Sequence, residues 1–342
     1  MIKLIIRTTG IAFLVSAALL VALTAFANPG RVDSPAPRTT SIKGATTPMI
    51  VPTTPLSTAT TTLPSSTFTP TPTLTPSVTP DCASLWTIVD SPNVGFGGSF
   101  LLGVASVAQN DVWAIGYYTD SMAVEQTLIE HWDGVRWSVV ASPDVGTTGS
   151  AHNRLHGIAA VSANDIWAVG YFQPIATSQR STLILHWDGS SWNVVPDTSL
   201  GELKAVSALA TDDVWAVGEA SETYRTLTMH WNGQTWQVVA GPDIYDSTLN
   251  GVAMVAANDV WAVGRQFDQF LVEHWDGSAW SAVDVAPPAG YSNSFYGVDA
   301  LDANNIWAIG QCCWDPQVAT IYHWDGNAWS FSAIGYPDFS VA

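Results

Sequence analysis

One hexapeptide recurs five times, and it constrains the fold of this chain more than any other feature. Its first copy runs from Asp111 to Gly116 and reads Asp-Val-Trp-Ala-Ile-Gly. The tryptophans of the five copies stand at positions 113, 167, 215, 261 and 307, which gives a period of 46 to 54 residues. Such a period indicates a repeat architecture, in which each unit packs against its neighbours in the array.

A second string follows in every copy, with the form His-Trp-Asp-Gly-x-x-Trp; Asn232 replaces the aspartate once. The five histidines of this string stand at positions 131, 186, 230, 274 and 323. Three tryptophans per copy account for 15 of the 17 in the chain. Trp86 matches the third tryptophan of a copy. Ten residues before each first tryptophan stands a small residue, namely Gly103, Gly157, Ala205, Gly251 or Gly297.

The second copy predicts four short strands, a to d, over 155–161, 166–170, 182–187 and 192–195, rich in Val, Ile, Leu and Trp. The Asp-Gly pair favours a two-residue hairpin turn, which pairs Trp132 with Val135 and sets Trp137 diagonally from Trp132. Four-stranded units arranged radially make an all-β fold, the β-propeller. Five copies favour five blades, and the extra Trp86 strand leaves an incomplete six-bladed array as the alternative.

Two strings of the repeat resemble known propeller families. The Asp-Gly-x-x-Trp hairpin is similar to the Asp-box turn of sialidase-type propellers, shortened by one residue. The Trp-Ala-Val-Gly strand resembles kelch-like and related bacterial secreted propellers. The resemblance covers 82–342 and implies the fold, while it says little about activity, because propellers host many functions.

The chain divides into three parts by composition. Residues 1–27 predict a secretory signal peptide, with a basic start, an apolar run and an Ala-Phe-Ala cleavage site. An uncleaved membrane anchor is the alternative. Residues 28–80 are rich in Thr, Pro and Ser and predict a disordered stalk. Residues 81–342 form the propeller, so we expect a secreted or cell-surface protein whose mature domain does not insert into a membrane.

Charge excludes one class of partner. The net charge is −18, and residues 81–342 hold only 6 cationic side chains against 28 acidic ones. Nucleic-acid binding through a basic surface is excluded, because phosphate affinity needs Lys and Arg.

The b–c and d–a connections vary in length between copies, whereas the a–b and c–d connections are constant. In an up-and-down blade the variable connections emerge at one end, here called the loop face, and variable loops on a rigid scaffold are where binding usually sits. Aromatic and guanidinium groups there suit sugars or anionic groups. Tyr117, Phe270 and Arg154 belong to these loops. The predicted binding residues are Tyr118, Tyr171, Phe172, Arg180, Tyr224, Arg225, Arg265, Phe267 and Trp314.

The repeated histidines are expected to bond to a neighbouring aspartate or to the backbone, because equivalent positions lie on separate blades. The repeated aspartate before strand b is expected to cap the a–b turn. His152 and His156 lie in the predicted second d–a loop without an acidic or Cys partner nearby in sequence. The sequence therefore predicts no metal, no cofactor and no catalytic residue.

Three cysteines leave one over after pairing. Cys312 and Cys313 follow strand b at the loop face, whereas Cys82 precedes the Trp86 strand at the opposite end. A strand of five to six residues spans about 17–20 Å, and bridged Cα atoms lie within about 7 Å. We favour a vicinal Cys312–Cys313 disulfide, similar to bridges at the mouths of some propeller enzymes. A Cys82 bridge, an interchain Cys82 pair and three reduced thiols stay open.

The preferred function is a secreted, non-enzymatic, monomeric propeller that binds glycan or extracellular protein through the loop face. The alternatives are an extracellular carbohydrate-active enzyme, sialidase-like or a glycosidase with paired carboxylates, and a structural surface or assembly module. Convergence of Arg180, Arg225 and Arg265 on two carboxylates in one pocket favours the enzyme. Dispersal of these arginines favours binding or scaffold.

Overall fold

The computed structural model describes residues 5–6, 87–146, 150–177, 179–286, 293–311 and 319–333. The predicted signal segment apart from 5–6, the predicted stalk and all three cysteines lie outside the described residues, as does Trp314. The vicinal disulfide therefore stays a prediction. In the part of the chain that is described, no helix suited to crossing a membrane is present.

The described residues form strands and no helix. A two-stranded pair consists of β1 (Ile5–Ile6) and β2 (Thr87–Ile88). The next twenty strands form five antiparallel four-stranded sheets, each in sequence order, here called blades 1 to 5. Blade 1 comprises β3 (Ser99–Ala108), β4 (Asp111–Thr119), β5 (Glu125–Trp132) and β6 (Trp137–Val140). Blade 2 comprises β7 (Ala151–Ser162), β8 (Asp165–Pro174), β9 (Ser181–Trp187) and β10 (Trp192–Val194).

The other three blades follow the same plan. Blade 3 comprises β11 (Gly201–Ala210), β12 (Asp213–Ala220), β13 (Arg225–Trp231) and β14 (Trp236–Val238). Blade 4 comprises β15 (Ser247–Ala256), β16 (Asp259–Gln266), β17 (Gln269–Trp275) and β18 (Trp280–Ala282). Blade 5 comprises β19 (Ser294–Asp302), β20 (Asn305–Gln311), β21 (Ala319–Trp324) and β22 (Trp329–Ala333).

The first two strands of blade 2 are longer than predicted. Their pairing continues outward to Ala151 opposite Pro174, so β7 starts four residues before the predicted strand. His152 and Arg154 consequently lie in a strand rather than in the d–a loop, and Tyr171 and Phe172 lie in β8 rather than in the b–c loop. The prediction erred because polar side chains at these positions are compatible with a strand whose other face is buried.

The c–d turn also differs from the prediction. Trp132 pairs directly with Trp137 rather than with Val135, so the loop has four residues instead of two. The Asp133 carboxylate accepts hydrogen bonds from the amides of Val135 and Arg136, at 2.8 and 2.9 Å. Gly134 takes a φ of +93°, which glycine adopts without strain. The aspartate stabilises the longer turn by bonding its free amides.

Tryptophans seal the junctions between successive blades. The strand-b tryptophan of one blade packs on the strand-c and strand-d tryptophans of the next. Trp113 lies 4.9 Å from Trp187 and 5.7 Å from Trp192, measured between ring centroids. Trp215 repeats this arrangement on Trp275 and Trp280, both at 5.1 Å. One period of the sequence therefore corresponds to one tryptophan contact between neighbouring blades.

The small residue of each strand a allows the inner strands to meet. A Cβ added to Gly157 would lie 2.9 Å from the Cα of Ala205 in blade 3, and one added to Gly251 would lie 3.0 Å from the Cα of Gly297 in blade 5. Even an alanine at Gly157 would therefore require the neighbouring strand to shift. This contact brings all five inner strands around one central channel.

The described residues form five complete blades, and β2 supplies part of a sixth. Val89 follows β2 and packs against Val112, Ala114 and Trp137 of blade 1. Val140 of blade 1 occupies the same place, three residues after the strand-d tryptophan, in the core between blades 1 and 2. Val89 thus stands where the outermost strand of a preceding blade would place the equivalent residue, as the six-bladed alternative requires.

Candidate functional site on the loop face

The repeated histidines belong to the scaffold, as predicted. In blade 1 the Nε2 atom of His131 lies 2.8 Å from an oxygen of Asp111, and the same oxygen accepts from Trp113 Nε1. In blade 5 the amide oxygen of Asn305 accepts from Trp307 Nε1, at 2.8 Å, and lies 2.9 Å from His323 Nε2. An amide oxygen only accepts, so this histidine donates through Nε2.

The aspartate before strand b therefore bonds to His in blades 1 to 4, and also to Trp in blades 1 and 4, so the prediction that it caps the a–b turn is wrong. The capping interpretation considered only sequence neighbours, whereas β4 and β5 bring His131 opposite Trp113. Among the described residues, no group of three or more His, Cys, Asp or Glu is arranged to hold a metal ion.

Two predicted loop arginines clamp neighbouring blades. Arg154 of blade 2 bonds to the Glu125 carboxylate of blade 1 through two nitrogens and lies 4.3 Å from the ring centroid of Tyr117. Arg180 of blade 2 bonds to Glu202 of blade 3 and lies 4.5 Å from the ring centroid of Tyr171. Charge-assisted bonds and ring contact together fix these junctions.

The arginines named by the enzyme hypothesis are each bonded to a different group. Arg180 pairs with Glu202, and Arg225 pairs with Asp243. The Arg265 guanidinium donates to the carbonyl oxygen of Phe267 at 3.1 Å. The three arginines therefore do not share one pair of carboxylates in the described structure.

Four predicted residues do come together, around a residue that the prediction missed. Tyr245, in the d–a loop between blades 3 and 4, lies between Tyr224 and Phe267, with ring centroids 6.3 and 6.4 Å away. Arg225 lies 5.9 Å from its ring centroid. The three rings are 54%, 55% and 52% exposed for Tyr224, Tyr245 and Phe267. We call these three rings with Arg225 and Arg265 the aromatic patch.

The backbone of the aromatic patch is strained where its rings are presented. Tyr224 and Phe267 have φ values of 52° and 49°, in the left-handed region. Phe267 and Asp268 form a two-residue hairpin turn, since Gln266 pairs with Gln269. A turn with positive φ at its first position favours glycine. A phenylalanine there costs on the order of 1–3 kcal/mol.

Backbone hydrogen bonds join the three segments that carry the aromatic patch. The Ser247 amide donates to the Tyr224 carbonyl at 3.2 Å, and the Phe267 amide donates to the Asp246 carbonyl at 2.8 Å. Asp246 also has positive φ, at 53°. These bonds hold the b–c turns of blades 3 and 4 on either side of the d–a loop, so the patch is one surface.

The remaining predicted binding residues lie elsewhere. Tyr118 is in β4 of blade 1, where burial and the charges of Asp144 and Asp120 raise the pKa of its hydroxyl. Phe172 packs against the core between blades 1 and 2. Tyr171 is buried, with its ring 5.6 Å from that of His156.

The central channel is a second polar feature, and the sequence analysis missed it. Its volume is about 270 Å³, and all five strands a line it. The residue before the small residue of each strand a differs in every blade. These residues are Leu102, His156, Lys204, Asn250 and Tyr296. Divergence at one position within an otherwise constant repeat was the available signal.

The polar groups of the channel are bonded to their own surroundings. Lys204 donates to Thr248 Oγ1 at 2.9 Å, and His156 lies 3.1 Å from the Glu202 carboxylate. Asn250 donates to the Phe295 carbonyl at 2.7 Å. The polar side chains of the channel are therefore already bonded to neighbouring protein groups, whereas the rings of the aromatic patch face solvent.

Comparison with known proteins adds information on the fold. No family model matches the chain, and no curated protein matches it. The chain is similar to the SapL1 lectin in complex with alpha methyl fucoside, with a TM-score of 0.51 and 15% identity over 75% of this chain and 87% of that chain.

Two further structures share less of the geometry. A six-bladed β-propeller lectin of Aleuria aurantia gives a TM-score of 0.43 and 17% identity over 67% of this chain and 76% of that one. YCF48 bound to D1 peptide gives a TM-score of 0.47 and 15% identity over 72% of this chain and 69% of that one. With five radial antiparallel sheets around a channel, this chain has the fold of a β-propeller.

Proposed function

We propose that this protein is a carbohydrate-binding propeller whose ligand lies on the aromatic patch. The observation that carries the proposal is the exposure of Tyr224 and Phe267 on left-handed backbone. Strain of this kind persists at sites where the presented side chain has a role. Exposed rings bind the apolar faces of sugars, while nearby carboxylates and guanidinium groups bond to hydroxyls.

The charges around the aromatic patch favour a neutral saccharide. Asp243, Asp246 and Asp268 accompany Arg225 and Arg265, so the local surface has no excess of positive charge. The propeller likeness to a lectin supports the proposal only through the fold. Secretion, with residues 28–80 as a stalk, remains part of the proposal.

A glycan array probed with the full chain tests this function. Wild-type protein should bind a set of neutral glycans, and Phe267→Gly should lose that binding. Glycine relieves the left-handed strain, so the melting temperature of this variant should stay unchanged or rise.

Tyr118→Ala is the matched control, because it removes a ring outside the aromatic patch and should keep the binding. An array without bound glycans contradicts the proposal and favours a protein ligand. Retained binding by Phe267→Gly together with a lower melting temperature would show that Phe267 serves the fold.

A further inference from the structure

A buried carboxyl group without a hydrogen-bond partner lies in the junction between blades 3 and 4. Glu273, in β17, is 0% exposed, and neither of its carboxyl oxygens has a hydrogen-bond partner within the described structure. The same position of strand c holds Leu185, Met229 and Tyr322 in blades 2, 3 and 5. An apolar residue therefore satisfies the fold at this position in three of the five blades, whereas blade 1 also holds a buried glutamate, Glu130.

The Glu273 carboxyl lies next to two segments that carry residues of the aromatic patch. A Cβ added to Gly241 would lie 3.1 Å from Glu273 Oε2 and 3.3 Å from the hydroxyl oxygen of Thr226. Gly241 lies in the loop that carries Tyr245, and Thr226 follows Arg225. The Thr226 hydroxyl is itself buried without a hydrogen-bond partner. The carboxyl is thus packed directly behind the patch.

The charged groups on the surrounding elements are directed elsewhere. Arg225 of β13 faces Asp243, and Arg265 of β16 faces the Phe267 carbonyl. His274 of β17 faces Asp259 of β16. Lys204 of β11 faces Thr248 of β15 and Glu219 of β12. Asp246 lies in the patch loop, and β15 and β18 contribute no charged residue.

Burial is accordingly the main influence on this acid, and it raises the pKa of Glu273 to about 7. An ionised carboxylate at this place would be unpaired in an apolar surrounding, which is costly. The neutral acid fits the packed junction. The ionised acid favours contact with water, which the packed junction excludes.

We propose that Glu273 is a proton-dependent support of the aromatic patch. Protonated, it lets the 240–246 segment pack against blade 4; ionised, it draws water into the junction and loosens that segment. The inference rests on the proposed function, since it describes the regulation of the same surface. Ligand binding at the patch then weakens as the pH rises past neutrality.

Hydrogen–deuterium exchange of the full chain tests this inference without any ligand. After correction for the chemical exchange rate, exchange of the 240–247 amides should rise several-fold between pH 6 and pH 8.5. Glu273→Gln should remove this rise. Glu273→Leu, which places the residue of blade 2 at this position, should remove it as well.

Glu130→Gln is the matched control, because Glu130 occupies the same repeat position in blade 1. This variant should keep the rise in the 240–247 amides. A rise that persists in both Glu273 variants, or no rise in wild-type protein, overturns the inference. A blank glycan array with a Glu273-dependent rise refutes the proposed function alone, so the two failures are distinguishable.

Discussion

The junction between blades 3 and 4 differs from the faces of blades 5 and 1 that adjoin no complete blade among the described residues, here called the open edges. Both kinds of surface carry the same repeat residues in different surroundings. In the junction, Trp215 is 1% exposed and packs on two tryptophans of blade 4. At the edge, the only ring near Trp307 within the described residues is that of its own His323, at 4.2 Å. Trp307 is correspondingly only half-buried.

Blade 1 shows the complementary half of the open edge. Trp132 and Trp137 contact each other at 5.8 Å, and no strand-b tryptophan from a preceding blade packs on them in the described part of the chain. Leu101 is half-buried, whereas its equivalents Leu155 and Leu203 are fully buried. Each blade therefore carries one side of each of two interfaces with neighbouring blades. These residues stabilise the fold only when the neighbouring blade is present.

The largest expected effect tests this difference directly. Trp215→Ala should lower the free energy of unfolding by roughly 3–5 kcal/mol, as large core truncations do. Trp307→Ala should cost clearly less, because its ring buries less area. Urea denaturation of both variants checks the comparison, and equal losses would mean that the edge is closed in solution.

The second effect concerns pH. Burial raises the folded-state pKa of both Glu273 and Glu130 to about 7, from 4.5. The folded state therefore holds these two protons more tightly, so the contribution of the two acids to stability is highest below pH 4.5 and falls as the pH rises to about 7. For Glu273 the loss is roughly 3 kcal/mol, from 1.36 kcal/mol per pKa unit.

Denaturation at pH 5 and pH 8 measures this loss, and Glu273→Gln should reduce it. Glu130→Gln should reduce it by a similar amount, because both carboxyl groups are 0% exposed and burial raises both pKa values to about 7. A much smaller effect at Glu130 would show that the edge of blade 1 is open to water.

The smallest effect concerns the clamp between blades 1 and 2. Arg154→Gln should cost about 1 kcal/mol, because the ion pair with Glu125 is partly exposed. A double-mutant cycle with Glu125→Gln isolates the coupling energy. Additive effects of the two substitutions would show that the pair contributes nothing to this junction.

Much of the architecture was predictable because it depends on residues that recur. The strand-b tryptophan and the small residue of strand a each stand at a constant offset, so their shared role follows from the repeat. The turn of Asp133 was predicted with the wrong length, because the sequence pattern does not show which amides the carboxylate reaches. The extension of β7 to Ala151 was missed, since strand ends depend on the partner strand.

The candidate site was predictable only in part. The loop face and four members of the aromatic patch followed from variable loop lengths, whereas Tyr245 carries no repeat signal. Arg180 looked like a ligand-binding residue, but its guanidinium is bonded to Glu202 of the next blade. Contacts between blades join residues about one repeat apart, and periodicity alone does not assign them.

The sequence by itself determined the β-propeller class, the four strands of each blade and the face on which loops vary, because these properties repeat along the chain. Tertiary structure alone decided which exposed rings meet, which arginines are already paired and which acid is buried behind the patch. These outcomes depend on distances between blades, and local sequence acts only within a blade. The left-handed φ of Phe267 belongs to the second kind, because its turn is set by the neighbouring loop that bonds to it.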